Sequence, residues 1–191
     1  FSILMVFVFA LAAVSLEKQS AYEAVYRPSG QDLTFSLLGA LGLIAGCVLS
    51  FRGSIAQMLV SLLGLLAGLS LGAGAVLRWK EKKPSAAFSV FVVLFYVAKL
   101  FRDFRHWEIN PAILDYCFSL FAMIAFMLAS YHAGAFSFER GARRRLAFYS
   151  LLGVLFGAIS LAGAQLPELL IYAGSVFWML ACAQQMLRRS V

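Results

Sequence analysis

The chain has 191 residues, 62% of them hydrophobic and 13% charged, with a mean hydropathy of +0.87 and a net charge of +7. Soluble domains carry about 25% charged residues, so this composition excludes an ordinary water-soluble globule and assigns the chain to a lipid bilayer. The positive balance does not imply nucleic acid, because "RWKEKK" and "ERGARRR" are short connections just beyond apolar runs, where anionic lipid accounts for basic residues.

A hydrocarbon core of ~30 Å needs roughly 20 apolar residues per helix. Seven stretches free of Asp, Glu, Lys and Arg recur along the chain. None shows the ten-residue alternation of a β-barrel, and unpaired backbone cannot face lipid, so all seven read as helices. The expected fold is therefore an all-α integral membrane protein, a bundle of seven transmembrane helices forming one polytopic domain over residues 1–191. The spans are expected near 1–16, 33–51, 53–77, 84–107, 111–136, 146–164 and 167–187.

The first run, ending in "FVFALAAVS", also resembles the end of a secretory signal. Charge separates the two readings. If the run is a span, loops 17–32, 78–83 and 139–145 share one face with the C-terminus. They hold 12 of the 16 Lys and Arg: two in the first, four in each of the others and two at the C-terminus. The positive-inside rule then sets the N-terminus outside and the C-terminus in the cytosol, whereas a cleaved signal would leave the basic loops outside. Seven spans follow, in a multi-pass cell membrane protein of the bacterial inner-membrane or plasma-membrane kind.

After the first run, Tyr22, Val25 and Tyr26 stand at helical spacing before "PSG", which predicts a short interfacial helix or a plain loop. Segment 2 carries Gly42, Gly46 and Ser50, and segment 3 carries Gly64, Gly68 and Gly72, each set at four-residue intervals on one helical face. Small residues let membrane helices approach closely. Segments 2 and 3, joined by "FRGS", should form a tight antiparallel hairpin, with segment 6 and its Gly153 and Gly157 as third partner.

Segment 4 must run past Lys99 to cross the bilayer, and "NP" should restart the chain with Asn110 as cap and Pro111 opening segment 5. Lys99, Arg102, Asp103 and His106 follow the i, i+3, i+4, i+7 pattern of one helical face, and Asp115 stands one turn into the next helix. With the free amides of that helix N-terminus, two or three cations and an imidazole compose a ligand-binding cluster for a small anion near the outer face. The competing reading is structural: Lys99 snorkels and Asp115 neutralises it.

Segment 3 also contains "GLSLG", formally the GxSxG of serine hydrolases, with His132 two helices later. A glycine-spaced helix cannot supply the sharp strand-to-helix turn that exposes such a serine. His106 and His132 lie roughly 30 Å apart along the bundle at 1.5 Å per residue, so they do not share a metal. Segment 7 lacks the Schiff-base lysine that a microbial-rhodopsin-like retinal protein needs, and its Tyr172, Ser175, Trp178, Cys182 and Gln185 form a polar face suited to lining a path or to hydrogen bonding between helices. Cys47, Cys117 and Cys182 stand singly in apolar runs and read as small packing side chains.

These features predict a permease or ligand-binding membrane component for a small, anionic solute. The first alternative is a non-catalytic interaction or sensory subunit, and the second an intramembrane enzyme. No catalytic residue, metal or cofactor is expected. The expected partners are the bilayer, anionic lipids at the basic loops, a small-molecule ligand and, under the first alternative, another membrane protein.

Overall fold

A computed structural model describes residues 2–17, 22–26, 29–51, 54–107 and 116–187. These residues are helical, with no strand among them. In chain order the helices are α1 (Ser2–Ser15), α2 (Tyr22–Val25), α3 (Gly30–Leu49), α4 (Ile55–Trp79), α5 (Ala86–Trp107), α6 (Cys117–Ala135), α7 (Arg143–Leu161) and α8 (Leu166–Leu187), with a 3-10 turn over Phe136–Phe138. The cap expected at Asn110 and the start expected at Pro111 lie outside the described residues, as does Asp115.

Helix ends follow local chemistry. Ser54 caps α4 by accepting from the Gln57 amide at 3.4 Å. The Ser85 hydroxyl accepts from the Ala87 amide at the start of α5. Pro167 lies in the first turn of α8, where its missing N–H costs nothing. Glu81 and Glu139 take the left-handed conformation just beyond α4 and the 3-10 turn and reverse the chain there.

Each of α3 to α8 packs on its sequence neighbours, and α3 closes against α8, so six helices form a ring in chain order. Helix α1 lies outside the ring, against α7. Contacts bring the start of α3, the turns after α4 and α6 and the last turn of α8 to one end of the ring, here the basic end, and the end of α3, the starts of α4 and α8 and the second half of α5 to the far end.

Five helices, α3, α4, α6, α7 and α8, are long and apolar enough to cross a bilayer. Helix α1 has 14 residues and rises about 21 Å, short of a full hydrocarbon core. Helix α5 is long enough but carries Lys99, Arg102, Asp103 and Arg105.

The ring is apolar outside and partly polar inside. Leu41, Val48, Leu59, Leu69, Val90 and Phe101 are exposed, while Asp32, Ser36, Ser61, Lys99, Asp103 and Ser175 are buried. Water would penalise that exterior heavily, and hydrocarbon does not. The protein is a multi-helical membrane protein.

Glycine sets the closest contacts, and they show which helices meet. A Cβ on Gly42 would fall 2.8 Å from the Gly174 Cα, and one on Gly46 2.8 Å from the Pro167 carbonyl, so this face of α3 lies on α8. The Gly68 position abuts Ala40 and Ile44 of α3, and the Gly64 position abuts Cys47 and Phe95; at Gly72 the nearest atom, the Ala40 Cβ, is 3.7 Å away. Gly153 and Gly157 face Phe126 of α6 and Met179 and Val176 of α8. The third partner of the α3–α4 hairpin is thus α8, not segment 6, because Gly174 offers bare backbone opposite Gly39 and Gly42.

Candidate functional site

The far end of the ring carries a charged cluster built mainly by α5. Lys99 and Asp103 are one helical turn apart on the face that looks inward. Lys99 is only 1% exposed, and its Nζ donates to Asp103 Oδ2 at 2.6 Å. Arg102 donates to the other carboxylate oxygen, Nε at 2.9 Å and Nη2 at 2.6 Å. Arg102 also lies 3.8 Å from Glu168 at the start of α8, and the Lys99 ammonium sits 5.8 Å from the centre of the Tyr172 ring. Two cations therefore meet two carboxylates, one buried and one partly exposed. Each buried ion costs several kcal/mol of desolvation, which this mutual pairing offsets.

A cavity of about 200 Å³ opens beside this cluster. Besides Lys99, Arg102 and Glu168, its polar wall comes from Ser50, Gln57, Ser61 and Gln165. It is a polar chamber inside an apolar ring. Of the residues expected here, Lys99, Arg102 and Asp103 come together; the side chain of His106 and all of Asp115 lie outside the described residues. Glu168 and the glutamines joined the site unpredicted, and the position of Glu168 in the first turn of the polar-faced last helix was the signal for it.

Phe95, which lines the cavity, belongs to an aromatic layer between α5 and α6. Tyr96 packs on Phe95 and Phe126 with ring centres 5.2 and 5.5 Å away. Its hydroxyl donates to Ser175 Oγ at 2.8 Å, which in turn donates to the Ile171 carbonyl. All five polar residues expected to line a path along α8, Tyr172, Ser175, Trp178, Cys182 and Gln185, are buried.

A second cluster closes the basic end. Arg78, in the last turn of α4, donates Nε to Asp32 of α3 at 3.4 Å and Nη2 to Ser36 at 3.2 Å. The Tyr26 ring lies 5.8 Å from this guanidinium, stacks on Tyr22 at 4.8 Å and meets Phe136 edge-on. Burial pushes the Tyr22 hydroxyl up from its ordinary 10.0 to about 12, with Arg78 pulling it down and Asp32 pushing it up. Tyr22, Tyr26 and Arg78 bound a small cavity of about 40 Å³ that Trp178 and Cys182 also line. The Trp178 Nε1 and Tyr22 hydroxyl have no hydrogen-bond partner among the described residues.

No family model, curated protein or solved structure matches this chain. The site must be read from its own chemistry. Ser70 lines the small basic-end cavity, whereas His132 lines a groove on the outer wall and stacks on Tyr149 at 5.4 Å. The two residues of the "GLSLG" idea thus face different spaces. Cys47, Cys117 and Cys182 are free thiols. Two of the arginines in "ERGARRR" are structural: Arg143 is buried and donates to the Met186 carbonyl at 2.8 Å, and Arg144 holds the end of α1 through the Leu16 carbonyl at 2.6 Å.

Proposed function

We propose that the protein is a small membrane carrier that receives a small polar solute, anionic or zwitterionic, in the far-end cavity beside Lys99. All six ring helices then cross the bilayer. Helix α5 does so with Lys99 and Asp103 turned inward while Val90, Leu94 and Phe101 face hydrocarbon, and α1 adds a seventh crossing at the edge. The count of basic residues keeps the basic end in the cytosol and the far end outside.

One observation carries the reading: an ammonium 1% exposed forms the wall of a polar cavity of about 200 Å³. A charge held below the membrane interface costs ~2.5 to 3.5 kcal/mol on a lenient scale, and a purely structural contact is served more cheaply by hydrocarbon. Lys99 and Arg102 offer donors for a carboxylate or similar anion. Glu168 offers an acceptor for an ammonium. Transport then requires the Phe95, Tyr96 and Phe126 layer to part and the Asp32–Arg78 contact to open in turn, with the buried polar face of α8 lining the route.

The test is a thermal-stability screen of the purified protein in detergent against small carboxylates, amino acids and inorganic anions. A binding solute should raise the melting temperature, and Lys99→Met should abolish that rise while Lys80→Met leaves it intact. If no solute stabilises the protein, or the rise survives Lys99→Met, the carrier reading fails.

A second reading draws on the fact that Asp103 takes both Lys99 and Arg102, which leaves the cluster satisfied without a guest. In that case the protein is a non-catalytic interaction or sensory subunit. It should then ignore every small solute and co-purify with another membrane protein.

A further inference from the structure

We propose that a groove on the outer wall of the ring, between α5 and the end of α6, binds one anionic phospholipid with its phosphate at Arg140 and Arg145. The groove encloses about 820 Å³. Val90, Val93 and Leu94 of α5 and Phe138 of the 3-10 turn supply hydrocarbon walls. Arg140 and Arg145 line the same groove, and no Asp or Glu does.

Charge and hydrocarbon are separated along the membrane normal. From Ala86 at the basic rim to Leu94 the helix rises roughly 12 Å, so the groove runs from the rim toward the middle of the bilayer. Both arginines stand at the rim and the aliphatic side chains lie below. That is the layout of a headgroup above an acyl chain, and a free phosphate would leave the part of the groove lined by Val90, Val93 and Leu94 empty.

The electrostatics of the turn favour the same guest. Arg143 and Arg144 are occupied by backbone carbonyls, and Lys83 takes the neighbouring Glu139 carboxylate at 3.1 Å. Arg140 and Arg145 remain exposed to the groove. Arg145 moreover lies in the first turn of α7, where the helix dipole disfavours a cation, and a phosphate there relieves the strain. The inference rests on the chain being a membrane protein and not on the carrier reading or on its orientation, because the rim meets headgroups in either leaflet.

The experiment loads the purified full chain with phosphatidylglycerol or phosphatidylcholine in mixed micelles and counts retained lipids by native mass spectrometry. One phosphatidylglycerol should be retained about tenfold better than phosphatidylcholine, given two basic contacts. Arg140→Gln with Arg145→Gln should erase the preference. Lys80→Gln with Lys82→Gln removes the same charge from the same end outside the groove and should keep it. Leu94→Trp, which fills the groove and leaves both arginines, should lower retention of either lipid. Absence of preference in the unmodified chain, or equal loss in the two double variants, overturns the site. Displacement of the lipid by glycerol phosphate at matched concentration also overturns it, since a lone phosphate would then suffice. Both groove arginines are exposed, so melting temperatures of the variants should match the parent and confirm that they fold.

Discussion

The two ends of the ring hold the same kinds of charge in opposite arrangements. At the far end, Lys99, Arg102 and Asp103 all belong to α5, and the contact to another helix, Arg102 to Glu168, is the longest at 3.8 Å. At the basic end, Asp32 and Arg78 belong to different helices and lie 46 residues apart in sequence. A pair within one helix neutralises charge without fastening anything, whereas a pair between helices acts as a clasp. The far end is thus chemically poised and mechanically loose, and the basic end is the reverse.

Four substitutions sharpen or break this contrast. The largest effect should come from Asp103→Ala, which strands the buried Lys99 ammonium and should destabilise the protein by about 3 to 5 kcal/mol in reversible unfolding. A loss below about 1 kcal/mol would mean that Lys99 finds water and is less enclosed than described. Next is Arg78→Met, which leaves the Asp32 carboxylate with Ser36 alone and should cost about 2 to 3 kcal/mol. Unlike the first, it should speed amide exchange over the first turns of α3, because it opens a contact between helices. If exchange there is unchanged, the clasp is not one.

Lys99→Met should cost less, about 1 kcal/mol, since Arg102 still holds Asp103. A penalty as large as that of Asp103→Ala would show that Lys99, rather than the carboxylate, organises the far end. The smallest effect belongs to Tyr22→Phe, which removes a hydroxyl that has no hydrogen-bond partner among the described residues and should leave stability at neutral pH unchanged. Its signature is in pH dependence. The folded hydroxyl titrates near 12 and the unfolded one at 10.0, so its contribution is complete below pH 10 and is lost as pH climbs from 10 to 12. The phenylalanine variant should lose less over that interval, and an identical decline in both proteins would remove Tyr22 from the account.

The two ends also differed in how far the sequence disclosed them. Lys99, Arg102 and Asp103 could be grouped because helical periodicity alone brings them together. The Asp32–Arg78 contact was hidden because Asp32 and Arg78 both read as loop charges at the ends of their segments. Yet an antiparallel hairpin of 20 and 25 residues sets the first turn of one helix beside the last turn of the other, and that arithmetic was available. The α3–α8 seam was harder to see. Its decisive residue, Gly174, belongs to no glycine-spaced strip, and nothing local states which helix will meet Gly39 and Gly42 from 135 and 132 residues away. The short helix Tyr22–Val25 was one of two readings that the spacing allowed, a plain loop being the other, and the contact of Tyr26 with Arg78 was not legible at all.

Because neighbours in the ring are neighbours in the chain, five of its six seams can be made as the helices are added one by one. The sixth waits for the last. Until α8 arrives the molecule is an open arc, with the notched side of α3 bare to acyl chains and the charged pocket lacking one wall. Biogenesis therefore has a keystone step, and damage to α8 should leave a correctly inserted but unclosed protein, the kind of intermediate that membrane quality control removes.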